Sequence, residues 1–299
     1  MGGNTGKIIG SLGMFAATVG LAVLLGGESG SIAGLSGLVV CAIAAIGMQW
    51  IGFIPAALKQ TESFYDIVGS VTYLTVVSLA LFVASENGPL SVPAIVTAAM
   101  VAIWTLRLGI FLFQRIHRAG RDPRFDIIKT QPAFFFFAWT AQGLWVFMTL
   151  IAVLITLTGT AALRYEGEAA IPLVTWIGWG IWVLGFGIEV VADRQKSAFN
   201  ANPEKKGRWI DSGLWRLSQH PNYFGEWLLW TGLFIAGIPG YDGLEWLACL
   251  SPIFVYILLT RGSGIPLLDE QALKKWGDNP EYMAYRERTS AFVCWPPRA

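Results

Sequence analysis

Charge is what this sequence has least of. Only 14% of its 299 residues are Asp, Glu, Lys or Arg, against about a quarter in an average soluble domain. With 54% hydrophobic residues and a mean hydropathy of +0.54, that deficit excludes an ordinary soluble globular chain. It points instead to a polytopic membrane protein. A net charge of +1 leaves no global field for nucleic acid. Metal ligands are equally scarce, with two histidines and three cysteines. Cys41, Cys249 and Cys294 stand far apart, without a CxxC or a Cys/His pairing at zinc spacing, so no metal is expected. Cys41 and Cys249 lie in apolar segments and read as small core hydrophobes. No GxGxxG follows a strand pattern, which removes a Rossmann site. No internal repeat and no low-complexity tract is present.

What is present is a series of long apolar runs. At about 20 apolar residues per span, eight candidates emerge, approximately at 8–26, 32–57, 64–84, 92–113, 134–158, 172–191, 222–238 and 244–260. The first is glycine-rich and the seventh short and interrupted, so the expectation is an all-α bundle of seven or eight spans. The apolar run after Lys7 is also compatible with a cleaved signal peptide, but a retained first helix fits the topology better. Basic residues concentrate in three segments. Arg115–Lys129 holds five, Asp193–His220 six and the tail from Arg261 six, together 17 of the 21 Lys and Arg. With eight spans these fall on one side, which the positive-inside rule makes cytoplasmic, with both termini there. In the tail, Asp278-Asn279-Pro280-Glu281 reads as a cap, a proline at N1 and an early acid, and Tyr282, Tyr285 and Arg286 suggest a short amphipathic helix at the membrane surface. The expected organisation is one integral membrane domain, with N-terminal spans over 1–131 on the substrate side and a cofactor-binding bundle over 132–299.

One stretch joins these features, Leu214-Trp-Arg216-Leu-Ser-Gln-His220-Pro221-Asn222-Tyr223-Phe-Gly-Glu226. Pro221 has its φ preset for a first helical position and lacks an N–H that would go unpaired there. The helix should therefore start near Pro221, its positive dipole end facing a loop that carries Arg216. Asn222 and Glu226 are four apart and share one face. A carboxylate inside an apolar helix needs a partner, a cavity or a ligand. The ordinary alternative is an interfacial cap with a snorkelling Arg. Upstream, Glu189, Asp193 and Lys196 follow i, i+4, i+7 spacing on one stripe, which could equally be a solvated helix end.

These stretches carry a resemblance. Glu189-Val-Val-Ala-Asp193-Arg-Gln-Lys196, the stretch from Gly213 to Glu226, Arg261-Gly-Ser-Gly-Ile-Pro and Tyr282-Met-Ala-Tyr285-Arg…Thr289…Phe292…Pro296 together resemble the steroid 5α-reductase family, in a bacterial branch. The likeness covers roughly the last 110 residues and reaches weakly to Arg107–Phe125. It implies an intramembrane enzyme that uses NADPH to reduce a conjugated double bond, in a 3-keto-4-ene steroid or a similar apolar enone, in a bacterial inner membrane. It also implies a cofactor site drawing on Arg115, Arg118, Arg121, Glu189, Asp193, Lys196, Arg216, His220, Asn222, Tyr223, Glu226, Arg261, Tyr282, Tyr285 and Arg286. Arg and Lys suit the phosphates, Asp193 the ribose hydroxyls, and Asn222 with Glu226 the nicotinamide end. Isoprenylcysteine and phospholipid methyltransferases share the His-Pro-x-Tyr-x-Gly…Glu core, so S-adenosylmethionine is the alternative cofactor. A small transporter or scaffold would predict paired broken helices, and the sequence has none. Family members polarise the substrate carbonyl with a glutamate–tyrosine pair. Here Glu62, Tyr65 and Tyr73 form the matching kind of cluster at a span start, where Thr61 and Glu62 could equally be a plain cap. Trp104 and Arg107 are weaker candidates. The expected partners are the bilayer and an apolar small molecule, with no nucleic acid and no protein partner.

Overall fold

In the computed structural model, residues 2–27, 31–86, 88–119, 122, 125–158 and 170–298 are described. Among them the chain is mostly helical, and its strands are those of one short hairpin, Ser31–Ile32 with Leu35–Ser36. Left-handed Ala33 and Gly34 make its turn. Among the described residues, seven helices are long and apolar enough to cross a membrane. The chain divides into two compact units, residues 1–172 with 237–250, and residues 173–236 with 251–299.

The first unit contains α1 (Gly2–Leu25), α2 (Gly37–Lys59), α3 (Tyr65–Glu86), α4 (Val92–Ala119) and α5 (Pro132–Thr158). The sequence of α5 carries no charge, and the helix lies among others along most of its length. Phe135, Trp139, Phe147, Leu150, Leu154 and Leu157 along it are fully buried. Gly143 lets α2 approach, since a Cβ there would lie 2.9 Å from the Ile46 Cα. The outward faces carry Ile51, Ile54 and Leu58 on α2 and Ile95, Ile103 and Ile110 on α4, all exposed. In water such surface would be costly; against lipid it is the expected solution. Tyr241, from the segment that returns to this unit, donates to the Ala152 carbonyl at 3.4 Å. Because α5 packs on α1, α2 and α3, it belongs with them to the first compact unit.

The second unit contains α6 (Leu173–Ala201), α7 (Pro221–Gly237), α8 (Leu250–Arg261), α9 (Ile265–Trp276) and α10 (Pro280–Arg288). With its 17 residues, α7 reaches only about 26 Å at about 1.5 Å per residue, short of a hydrocarbon core of roughly 30 Å. The sequence expectation of a short seventh segment matches this. In α10, Tyr282 and Tyr285 are buried while Met283, Ala284, Glu287 and Arg288 are exposed. The helix is two-faced, as expected, and its aromatic face turns into its own unit.

Candidate functional site

The site in the second unit starts from glycine. Gly178 and Gly185 on α6, and Gly225 and Gly232 on α7, repeat at seven residues and face each other. A Cβ on Gly185 would lie 2.7 Å from the Gly225 carbonyl oxygen, and one on Gly232 2.6 Å from that of Gly178. The helices are therefore antiparallel and in backbone contact. Thr175 closes one end by donating to the Ala236 carbonyl at 3.0 Å. At the other end the Asn222 side chain donates to Asp193 Oδ1 at 3.3 Å. Between them, a Cβ on Gly225 would stand 2.7 Å from the Glu189 N. Close packing of small residues thus draws Glu189 and Asp193 of α6 to the start of α7, where Asn222 and Glu226 share one face. Glu189 and Asp193 are 3% and 7% exposed.

The loop before α7 is locked in place. Gly213 turns with a φ of +63°, open to glycine without strain, and the next amide, of Leu214, donates to Gln195 Oε1 at 3.0 Å. Buried Trp215 donates from Nε1 to the Ala192 carbonyl at 3.1 Å, and Lys196 lies over its ring at 4.7 Å. Tyr285 donates to the Trp215 carbonyl at 2.8 Å. Burial, reinforced by the Asp211 charge, pushes the Tyr285 hydroxyl far up, so it stays protonated and keeps its proton for this bond. Gln219 Nε2 donates to the carbonyls of Arg286 and Thr289. The helix starts at Pro221, as the proline predicts.

His220 sits at the centre of this arrangement, 7% exposed and stacked on Tyr223 with ring centroids 5.7 Å apart. Its Nε2 is 3.6 Å from Asp269 Oδ1, beyond good hydrogen-bonding distance. Asp269 in turn pairs with Arg286 at 3.0 Å, and Arg286 reaches the Tyr282 hydroxyl at 3.5 Å. Burial, with the charges of Lys196 and Arg286 beside it, holds the imidazole below its ordinary range and outweighs the Asp269 carboxylate. His220 is therefore neutral at neutral pH. The cluster offers carboxylates that can accept from hydroxyls and cations that can meet an anion.

The candidates in the first unit have a different character. Glu62 is buried; it accepts from Lys129 at 2.7 Å and from the Asp122 amide at 3.1 Å. Burial alone would raise its carboxyl, but Lys129 and the amide outweigh burial and hold it low. The Tyr65 hydroxyl donates to the Ala138 carbonyl at 3.0 Å, while its ring packs against Phe125 and Trp139. Tyr73 is 8% exposed and meets Trp104 edge-on at 5.2 Å. Glu62 thus secures the connection that follows α4, and the Tyr65 hydroxyl is directed at α5.

A family model described as a protein of unknown function, DUF1295, matches residues 52–289. The chain belongs to the DUF1295 family. It is also similar to the probable O-methyltransferase ustE of Ustilaginoidea virens, 24% identical over 185 residues, or 57% of this chain and 61% of that protein. The chain thus spans less than two thirds of the curated relative it matches. No solved structure matches it.

The DUF1295 match covers both clusters. Of the residues predicted for a cofactor, Glu189, Asp193, Lys196, His220, Asn222, Tyr223, Tyr282, Tyr285 and Arg286 meet around the start of α7, with Glu226 on the same face. Arg216 is exposed and forms no ion pair among the described residues; Arg261 is exposed at the end of α8. Arg115 is exposed on α4, in the other unit. The Arg118 side chain and Arg121 lie outside the described residues. Sequence reasoning missed Asp269, Gln195 and Gln219. Asp269 had one signal, an acid placed directly after the apolar run Ile265-Pro-Leu-Leu268.

Proposed function

We propose that this DUF1295 protein is an intramembrane reductase that uses NADPH to reduce the conjugated double bond of an apolar enone, such as a 3-keto-4-ene steroid. The observation that carries this reading is the convergence of Glu189, Asp193 and Asn222 at the start of α7 beside Lys196, Arg286 and neutral His220. The donor set fits both ends of a dinucleotide. Asp193 and Glu189 suit ribose hydroxyls, and Lys196, Arg216 and Arg286 suit phosphates. Bound NADPH would supply the hydride for the β carbon of the enone. The chain's own part is to hold the cofactor, shield it from water and donate to the carbonyl oxygen as negative charge develops there. The DUF1295 family is in general associated with steroid 5α-reductase-like proteins, which supports the reading.

A second reading has its own support. Similarity to the probable O-methyltransferase ustE favours S-adenosylmethionine, whose sulfonium cation would suit Glu189, Asp193 and Asp269. It has no phosphates, however, and leaves the basic residues without a task. The test is direct: the purified protein should bind NADPH and consume it when a 3-keto-4-ene steroid is added. Binding of S-adenosylmethionine with indifference to NADPH would replace the first reading by the second.

A further inference from the structure

A separate feature lies under the C-terminal tail. The chain after α10 folds back so that the Arg298 amide donates to the Arg288 carbonyl at 2.9 Å and the Trp295 amide to the Leu217 carbonyl at 3.1 Å. The fold-back encloses a cleft of about 530 Å³ whose lining includes Arg288, Arg298, Glu287, Val293 and Trp295. Several of its backbone acceptors are already used. Gln219 donates to the carbonyls of Arg286, Thr289 and Ser290, and Arg298 to that of Arg288. What remains is two exposed guanidinium groups that form no ion pair among the described residues, opposed by one carboxylate, Glu287. Beside them Trp295 and Val293 are 68% and 43% exposed. Nothing in the cofactor reading uses these side chains.

We propose that this cleft binds the headgroup phosphate of an anionic phospholipid. The charge balance selects an anion, and paired guanidinium groups match phosphate oxygens in geometry as well as charge. The exposed apolar residues select the lipid source. A tryptophan beside arginines on a membrane protein has the composition of the headgroup layer, where an indole is half-solvated and basic residues meet phosphate. A soluble phosphate compound would gain nothing from Trp295 and Val293. The proposal does not depend on which cofactor the α6–α7 cluster takes.

The full-length protein in detergent, offered phosphatidylglycerol and phosphatidylcholine in equal amounts, tests this by native mass spectrometry of the retained lipid. Wild type should favour phosphatidylglycerol. With about fivefold in affinity per basic residue at a lipid surface, Arg288→Ala/Arg298→Ala should lower that preference by roughly tenfold or more. Arg288→Lys/Arg298→Lys should keep most of it. Should the double alanine variant fold poorly, the single Arg298→Glu should still lower the preference at least about fivefold. An unchanged preference in the alanine and glutamate variants overturns the proposal. So does binding of free pyrophosphate that the alanine variant loses while the lipid preference stays put.

Discussion

His220 shows how burial decides what a residue can do. In the unfolded chain it titrates near the ordinary value of about 6.5; in the fold its value is lowered, burial being the largest cause. The unfolded state therefore takes up its proton first as pH falls. Stability is unaffected well above pH 6.5 and is lost progressively below it. The melting temperature of wild type should drop from about pH 6.5 downward, and His220→Gln should flatten that part of the profile. Glu62 has the opposite charge type, with a lowered carboxyl. Its contribution is present above the ordinary carboxylate range and disappears as pH falls through the folded value. Glu62→Gln leaves Lys129 without its buried partner and should cost about 1–3 kcal/mol, read as a lower unfolding temperature at neutral pH. Activity retained per folded molecule in that variant would restrict Glu62 to the structural role its contacts describe.

Elements meet here through what is missing from side chains. On α6, Gly178 and Gly185 touch the backbone of α7, whereas a Cβ on Gly180 or Gly187 of the same helix would meet nothing within 4 Å. The contrast makes a controlled experiment. Gly185→Leu should separate the helices and destabilise by about 1–3 kcal/mol or more, as overpacking does. It should also abolish cofactor binding, because Asp193 and Asn222 no longer meet. Gly187→Ala should be neutral or stabilise by up to about 1 kcal/mol through helix propensity. Thermal unfolding with a cofactor-binding measurement on both variants separates the two outcomes. Asn222→Ala, which keeps the helix contact but takes a donor from buried Asp193, should cost less stability than Gly185→Leu and still reduce binding.

At the scale of the whole molecule, the open count between seven and eight membrane segments turns on α7. If α7 enters the membrane far enough to reverse the chain, the two termini share the cytoplasmic side; if it does not, they are opposed. Cysteines introduced at Asn4 and Pro297, probed with an impermeant maleimide in intact and opened cells, should label together, only after opening. The native Cys294 contributes little background, since burial pushes its thiol up to about 11 and leaves little thiolate at neutral pH. Labelling of one site in intact cells would instead give seven spans.

Much of this was legible from residues alone. Long apolar runs dictate helices because backbone groups in lipid must be satisfied within their own segment. Pro221 dictates where α7 begins. The grouping of Glu189, Asp193, Asn222 and Glu226 was foreshadowed by i, i+4 spacing within each helix, which local geometry supplies without knowledge of the fold. What spacing could not decide was anything that depends on two distant segments meeting. That Gln219 and Ser218 bind the tail, that Asp269 stands beside His220 and Arg286, and that Glu62 belongs to Lys129 are contacts over tens of residues. They follow from which helix faces pack together, and a one-dimensional pattern of polarity carries no record of that. The sequence by itself determined a membrane-embedded helical bundle with its charges gathered into a few segments. The tertiary structure alone decided which charges meet, because glycine-to-glycine packing, not charge, sets where α6 and α7 come together.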